Sequence, residues 1–174
     1  VTYIGLFAFE GCTRLTRVKI PSSVTRIRWA PFSKCTALTS IDVDEANPCY
    51  SSMEGVLVNK DKTYLVNYPP GREGRYAIPD SVGQLGCASF MGCTKLTDVT
   101  MPDKPNLLPN GSVFYGCTSL ANVTLPDSLT RIGNWEFSGC TRLTRITIPA
   151  SVRSVGKGVF RRCSNLTAVR FEGD

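Results

Sequence analysis

The stretch LANVTLPDSLTRIGNWEFSGCT, Leu120–Thr141, recurs in pattern as LTRITIPASVRSVGKGVFRRCS, Leu143–Ser164, and its reading decides the fold. It opens with apolar Leu120, Val123 and Leu125. The last two are separated by one polar residue, the period-2 alternation of a half-buried strand. Pro126 follows, which cannot donate to a sheet ladder and so ends the strand. A second apolar pair, Leu129 and Ile132, comes next. Phe137 and Cys140, three residues apart, then share one side of what reads as a short helical turn.

The same pattern extends along the chain in both directions. Phe9, Phe32, Phe90, Phe114, Phe137 and Phe160 each precede a cysteine by three residues. A leucine stands three residues after each of those cysteines, from Leu15 to Leu166. Leucine-to-leucine steps are 23, 58, 24, 23 and 23 residues, so one unit carries a long insertion. A single unit cannot bury its apolar edge, whereas stacked units cover one another and build one continuous core. The expected architecture is a solenoid of the α/β class, strand-rich with short helical turns, winding as a right-handed superhelix. Residues 1–174 form one repeat domain with an insertion at about 44–77. There Gly55-Val-Leu-Val-Asn and Tyr64-Leu-Val-Asn-Tyr flank the polar Lys60-Asp-Lys and predict a hairpin that continues or flanks the stack. Both ends fall inside a repeat, without polar capping units, which reads as a segment of a longer array with ends open to end-to-end self-association.

The unit L-T-x-V-x-I-P-x-S-V-T-x-I-G-x-x-x-F-x-G-C-T resembles the BspA-like class of bacterial leucine-rich repeats. The inserted Asp44-Glu-Ala-Asn-Pro-Cys-Tyr-Ser-Ser and Tyr68-Pro-Pro-Gly also resemble an insertion common in that class, while Pro31 and Lys34 depart from its small residues. The resemblance implies a leucine-rich-repeat solenoid on a secreted or cell-surface protein that attaches to a host or bacterial surface protein or glycan. A structural spacer without a ligand of its own is the alternative.

Composition narrows the chemistry. The chain has 174 residues, 42% of them hydrophobic and 20% charged, and no histidine. Histidine-based nucleophile systems and histidine metal sites are therefore excluded. No G-x-S-x-G and no phosphate-cradling glycine loop occurs, so no enzyme, cofactor or metal is expected. No apolar run is long enough to span a bilayer, and no direct membrane insertion is expected. The formal net charge is +6, with basic segments at 1–34 and 131–174 flanking an acidic middle. That middle interrupts the continuous basic stripe that nucleic-acid binding requires. Six of the eight cysteines follow the repeat, which predicts a column of inward, parallel thiols with Cβ atoms aligned and not facing. Cys49 and Cys87 lie off that column and are the one pair open to bridging.

Strand residues that alternate with the buried ones should form an open face of two columns. One contains Arg17, Ser40, Asp98, Asn122, Arg145 and Ala168; the other contains Lys19, Asp42, Thr100, Thr124, Thr147 and Arg170. The candidate binding residues are Arg17, Lys19, Asp98, Asn122, Thr124, Arg145, Thr147 and Arg170, a polar set of mixed sign suited to a protein or glycan partner. Individually these residues also read as solvated strand positions that keep the array soluble. Trp29 and Trp135, just before the phenylalanines, read as rings lying flat over neighbours or as interface anchors. Asp42, Asp44 and Glu45 lack an oxygen-ligand loop for calcium. Asn110, Asn122 and Asn165 head N-x-S/T triplets, which read as glycan acceptors in a eukaryotic secretory pathway and as by-products of the repeat in a bacterial protein.

Overall fold

The computed structural model describes residues 1–104, 106–108 and 111–173. One edge of the coil is made by β2 (Arg17–Ile20), β4 (Ser40–Val43), β8 (Gly74–Ala77), β10 (Leu96–Thr100), β11 (Asn122–Thr124), β13 (Arg145–Ile148) and β15 (Ala168–Phe171). These strands pair parallel wherever they pair, β2 with β4, β10 with both β8 and β11, and β13 with β15. A second edge carries two-residue strands β1 (Tyr3–Ile4), β3 (Arg26–Ile27), β9 (Gln84–Leu85), β12 (Arg131–Ile132) and β14 (Ser154–Val155). Parallel pairing between residues 23 apart, such as Arg145 with Ala168, is what a coil of that length produces.

Among the described residues there is no helix, and the α/β expectation is corrected to an all-β solenoid. The reason lies on either side of each phenylalanine. The residue two before it has positive φ in all six repeats: Phe7, Ala30, Ala88, Ser112, Trp135 and Gly158. The residue two after it does as well: Gly11, Lys34, Gly92, Gly116, Gly139 and Arg162. Two left-handed residues so close together leave room for one turn, in which the Cys N–H donates to the Phe carbonyl three residues back, as in Cys140 to Phe137 at 3.1 Å. Helical propagation stops there. The donors freed by this turn bond to the next coil instead. Phe114 N–H reaches Glu136 O at 3.0 Å and Gly116 N–H reaches Ser138 O at 2.8 Å, a third ladder along the turn edge.

Inside, the phenylalanines stack. Phe90, Phe114 and Phe137 follow one another with centroids 5.0 and 5.5 Å apart, and Phe160 continues at 5.9 Å. Tyr68 takes the phenylalanine position in the inserted coil, 4.8 Å from Phe90. The thiol column beside it donates to the phenylalanine carbonyls of the preceding coil, Cys35 to Phe9 at 3.0 Å and Cys117 to Phe90 at 3.1 Å among them. All eight cysteines are free, Cys49 and Cys87 included, and burial raises the Cys117 and Cys140 thiols far above their ordinary range. Such thiols are poor nucleophiles.

The insertion is a three-stranded meander: β5 (Tyr50–Met53), β6 (Val56–Asn59) and β7 (Tyr64–Asn67). The β6–β7 hairpin is the expected one; β5 was not anticipated. A two-residue turn, Glu54–Gly55 with φ of 50° and 81°, joins β5 to β6. β6 is buried on both faces. Leu57 packs into the N-terminal apolar cluster with Phe32 and Ile41, while Val56 and Val58 join the C-terminal cluster with Phe90 and Leu96. The meander therefore passes through the stack as a rung and divides its core in two. Asn47 anchors it: buried, its amide donates to Pro21 O and Val24 O at 2.8 and 2.9 Å, and its carbonyl accepts from Cys49 and Tyr50 N–H. Asn110 lies outside the described residues.

Phe137→Ala should cost about 3–5 kcal/mol, because the cavity it leaves faces a ring in each neighbouring coil. Urea denaturation checks this, and an unchanged midpoint would place Phe137 outside the stack. Thiol titration in denaturant without reductant should count eight reactive cysteines.

Candidate interaction face

On the first edge the ladder places side chains in register, Arg75 beside Asp98 and Asp98 beside Asn122, then Ala77 beside Thr100 and Thr100 beside Thr124. Arg17 stands beside Ser40, Lys19 beside Asp42, Arg145 beside Ala168, and Thr147 beside Arg170. Seven of the eight candidate residues are exposed and Asp98 is half-buried. Their inward neighbours Ile41, Val99, Ile146 and Ile148 are buried, which is the pleat alternation at work.

The structure brings half of the candidate set together. Asn122, Thr124, Arg145 and Thr147 line a depression of about 310 Å³ with Asp127, Pro149 and Glu172. It lies between β11 and β13, which run side by side but exchange no ladder hydrogen bonds. Arg17 belongs elsewhere. It lines a broader depression of about 810 Å³ against the insertion, with Ser40, Glu54, Arg72, Glu73 and Lys95. Lys19, Asp98 and Arg170 line neither.

Three residues of this face escaped the sequence reading. Arg75 fills the first column between Ser40 and Asp98; its signal was its place four residues before Pro79, the same offset as Arg17 to Pro21 and Asn122 to Pro126. Arg72 is pinned, donating to Glu54 O at 2.9 Å with its guanidinium 5.6 Å from the Tyr68 ring centroid. Lys95 pairs with Glu73 at 2.7 Å, and that hydrogen bond and charge hold the Glu73 carboxyl below its ordinary range. Asp98 is held low by hydrogen bonds from Thr97 at 2.6 Å and Asn122 at 2.7 Å.

The tryptophans divide. Trp135 lies flat on Gly158, where a side chain would collide with the ring, and Arg161 sits 5.4 Å from its centroid. Trp29 is 57% exposed, and Leu6, the residue 23 positions before it, is exposed as well. The Asn165 amide donates to Thr141 O at 2.7 Å. Among the described residues, no group of three or more His, Cys, Asp or Glu side chains is arranged to hold a metal ion. Among the described residues no helix is long and apolar enough to cross a membrane.

Glu136 was read only as part of a charge count. It is fully buried beside Phe137, and neither carboxylate oxygen has a hydrogen-bond partner. Burial pushes its pKa up to about 8, against a smaller opposing effect of the Val113 backbone. The fold therefore favours the protonated acid. The unfolded chain releases that proton above the ordinary value of 4.5. The stability tied to Glu136 is present below that value and is lost as pH rises toward about 8. Glu136→Gln, which cannot ionise, should gain on the parent progressively between those limits, by about 3 kcal/mol at pH 7. Melting curves across that range check it; a constant difference between the two proteins would refute it.

The profile of the BspA type leucine-rich repeat region matches six copies, over residues 1–54 and 75–174. Similar solved structures include a leucine-rich repeat protein of Eubacterium ventriosum, with 28% identity, TM-score 0.81, and coverage of 98% of this chain and 52% of that one. A leucine-rich cell surface protein of Faecalibacterium prausnitzii aligns at 32% identity and TM-score 0.73, covering 100% of this chain and 52% of that one. The pneumococcal vaccine antigen PcpA aligns at 27% identity and TM-score 0.79, covering 90% and 39%. The chain thus spans about half of the first two and less of the third. None of the curated protein sequences compared with it matches.

Proposed function

Since the chain belongs to the BspA-type leucine-rich repeat family, we propose that it is a non-catalytic interaction module of a secreted or cell-surface protein, engaging a protein or glycan through its open strand face. The observation that carries this reading is the convergence of Asn122, Thr124, Arg145 and Thr147 on one depression. Donors and acceptors from two coils meet there, and the turn-edge ladder and the Phe114–Phe137 stack hold those coils in place, so a partner finds them preorganised. The similar structures include a cell surface protein and a vaccine antigen, which supports placement at a bacterial surface. Adhesion to a host surface is the use such a placement suggests.

Biosensor measurement of the chain over immobilised extracellular-matrix proteins and glycans tests the module. At least one surface should bind, and Arg145→Glu with Arg170→Glu should weaken it about tenfold, about 1.4 kcal/mol. Binding that ignores this double substitution would move the site off this face. A panel without any binder would favour a spacer array.

A further inference from the structure

The charges of the open face are unequally satisfied. Its column carboxylates already have partners within the chain. Asp98 accepts from Thr97 and Asn122, and Asp42 accepts from Ser40 at 2.7 Å with Arg17 at 3.8 Å. Glu73, next to Arg72 in sequence, is paired with Lys95. The cations differ. Among the described residues no carboxylate lies within 4.0 Å of Lys19, Arg75, Arg145 or Arg170, and the charge of Arg75 is the smallest of the influences on its neighbour Asp98. Asp127 and Glu172, which line the depression with Arg145 but belong to neither column, form no ion pair with it. Covering an unpaired guanidinium with a neutral surface leaves a buried uncompensated charge, whereas covering a hydrogen-bonded carboxylate does not. The unpaired cations of the two columns therefore favour a negatively charged partner.

Two further features choose among anionic partners. The columns contain Arg, Lys, Asp, Asn, Ser, Thr and Ala but no aromatic ring. Exposed rings such as Tyr3, Phe7 and Trp29 belong to other parts of the coil. A nucleobase or a sugar ring thus finds no stacking platform here. Arg75 and Arg145 stand in one column three rungs apart, two of the steps ladder-paired at about 4.8 Å and the third crossing the unpaired interval between β11 and β13, so their backbones are separated by about 14 Å or somewhat more. An extended peptide rises about 3.4 Å per residue, so side chains four residues apart on one face span the same distance.

We propose that the two columns bind an extended acidic segment of a partner protein, with carboxylates four residues apart meeting Arg75 and Arg145. This rests on the module reading and gives its partner a chemistry.

Fluorescence anisotropy with a labelled peptide of repeating Glu-Ser-Thr-Ser provides the test. The parent should bind it saturably and more weakly as salt rises from about 50 to about 200 mM. It should not bind the matching Lys-Ser-Thr-Ser peptide. Arg75→Glu with Arg145→Glu should raise Kd about tenfold or more. Arg161→Glu with Arg162→Glu alters net charge equally on the turn edge and should leave Kd within about twofold. If the first pair misfolds by its melting curve, Arg75→Gln with Arg145→Gln replaces it, with the same loss expected. Equal losses in the two glutamate pairs would reduce the effect to net charge and overturn the proposal. So would a sulfated oligosaccharide binding more tightly through the same arginines. Should the peptide fail while a panel surface still depends on Arg145 and Arg170, the acidic-segment inference falls and the module stands. Failure of both removes the module itself.

Discussion

Hydrogen bonding from each coil to the next, in one fixed register, is the constraint on which the rest of this structure depends. The turn-edge ladder ties Phe114 to Glu136 and Gly116 to Ser138 through backbone groups alone. Because that register repeats, side chains 23 residues apart fall on top of one another, and ring meets ring along the axis. The stack then closes the core without any long-range sequence signal beyond the repeat. A displaced register would put every phenylalanine against a neighbour's polar residue and every thiol away from its carbonyl. Stability and the alignment of the open face therefore have one origin.

The same constraint explains how the meander is tolerated. It breaks the repeat in sequence, yet it enters as a rung, with β7 pairing parallel to β9 and Tyr68 standing in for the missing phenylalanine. Its cost falls at the junctions. Val56, Leu57 and Val58 must be apolar on both sides of one strand, and Asn47 must satisfy four backbone groups from within the core. On the first edge the insertion also opens the broad depression around Arg72. A continuous ladder would have no such break in its surface.

A second break in this regularity falls between the coils of Phe114 and Phe137. β11 and β13 are unpaired there, and Glu136 holds a buried carboxyl without a hydrogen-bond partner. The Phe114–Phe137 stack, with rings 1° from parallel, and the turn-edge ladder hold the two coils together nonetheless. The candidate depression lies along this same interval. An open seam leaves strand edges and side chains accessible on a scaffold that is otherwise sealed.

Much of this was legible in the residues. The spacing of Phe, Cys, Leu and Pro determined the coil length, the buried columns, the location of the insertion and the pair of outward columns, because each follows from a local periodicity of two or twenty-three. Arg75 was legible through its offset from Pro79 but hidden by the irregular spacing around it. The helical turn was misread since three-residue spacing of Phe and Cys suits a helix and a single turn alike. Only backbone angles at Ala30, Lys34, Trp135 and Arg162 separate them, and those residue types do not announce a left-handed conformation. Tertiary structure alone decided which outward side chains meet, that Asp98 is held while Arg145 is free, and that Glu136 is sealed from water. Those outcomes depend on distances between coils, which a pattern along one chain does not encode.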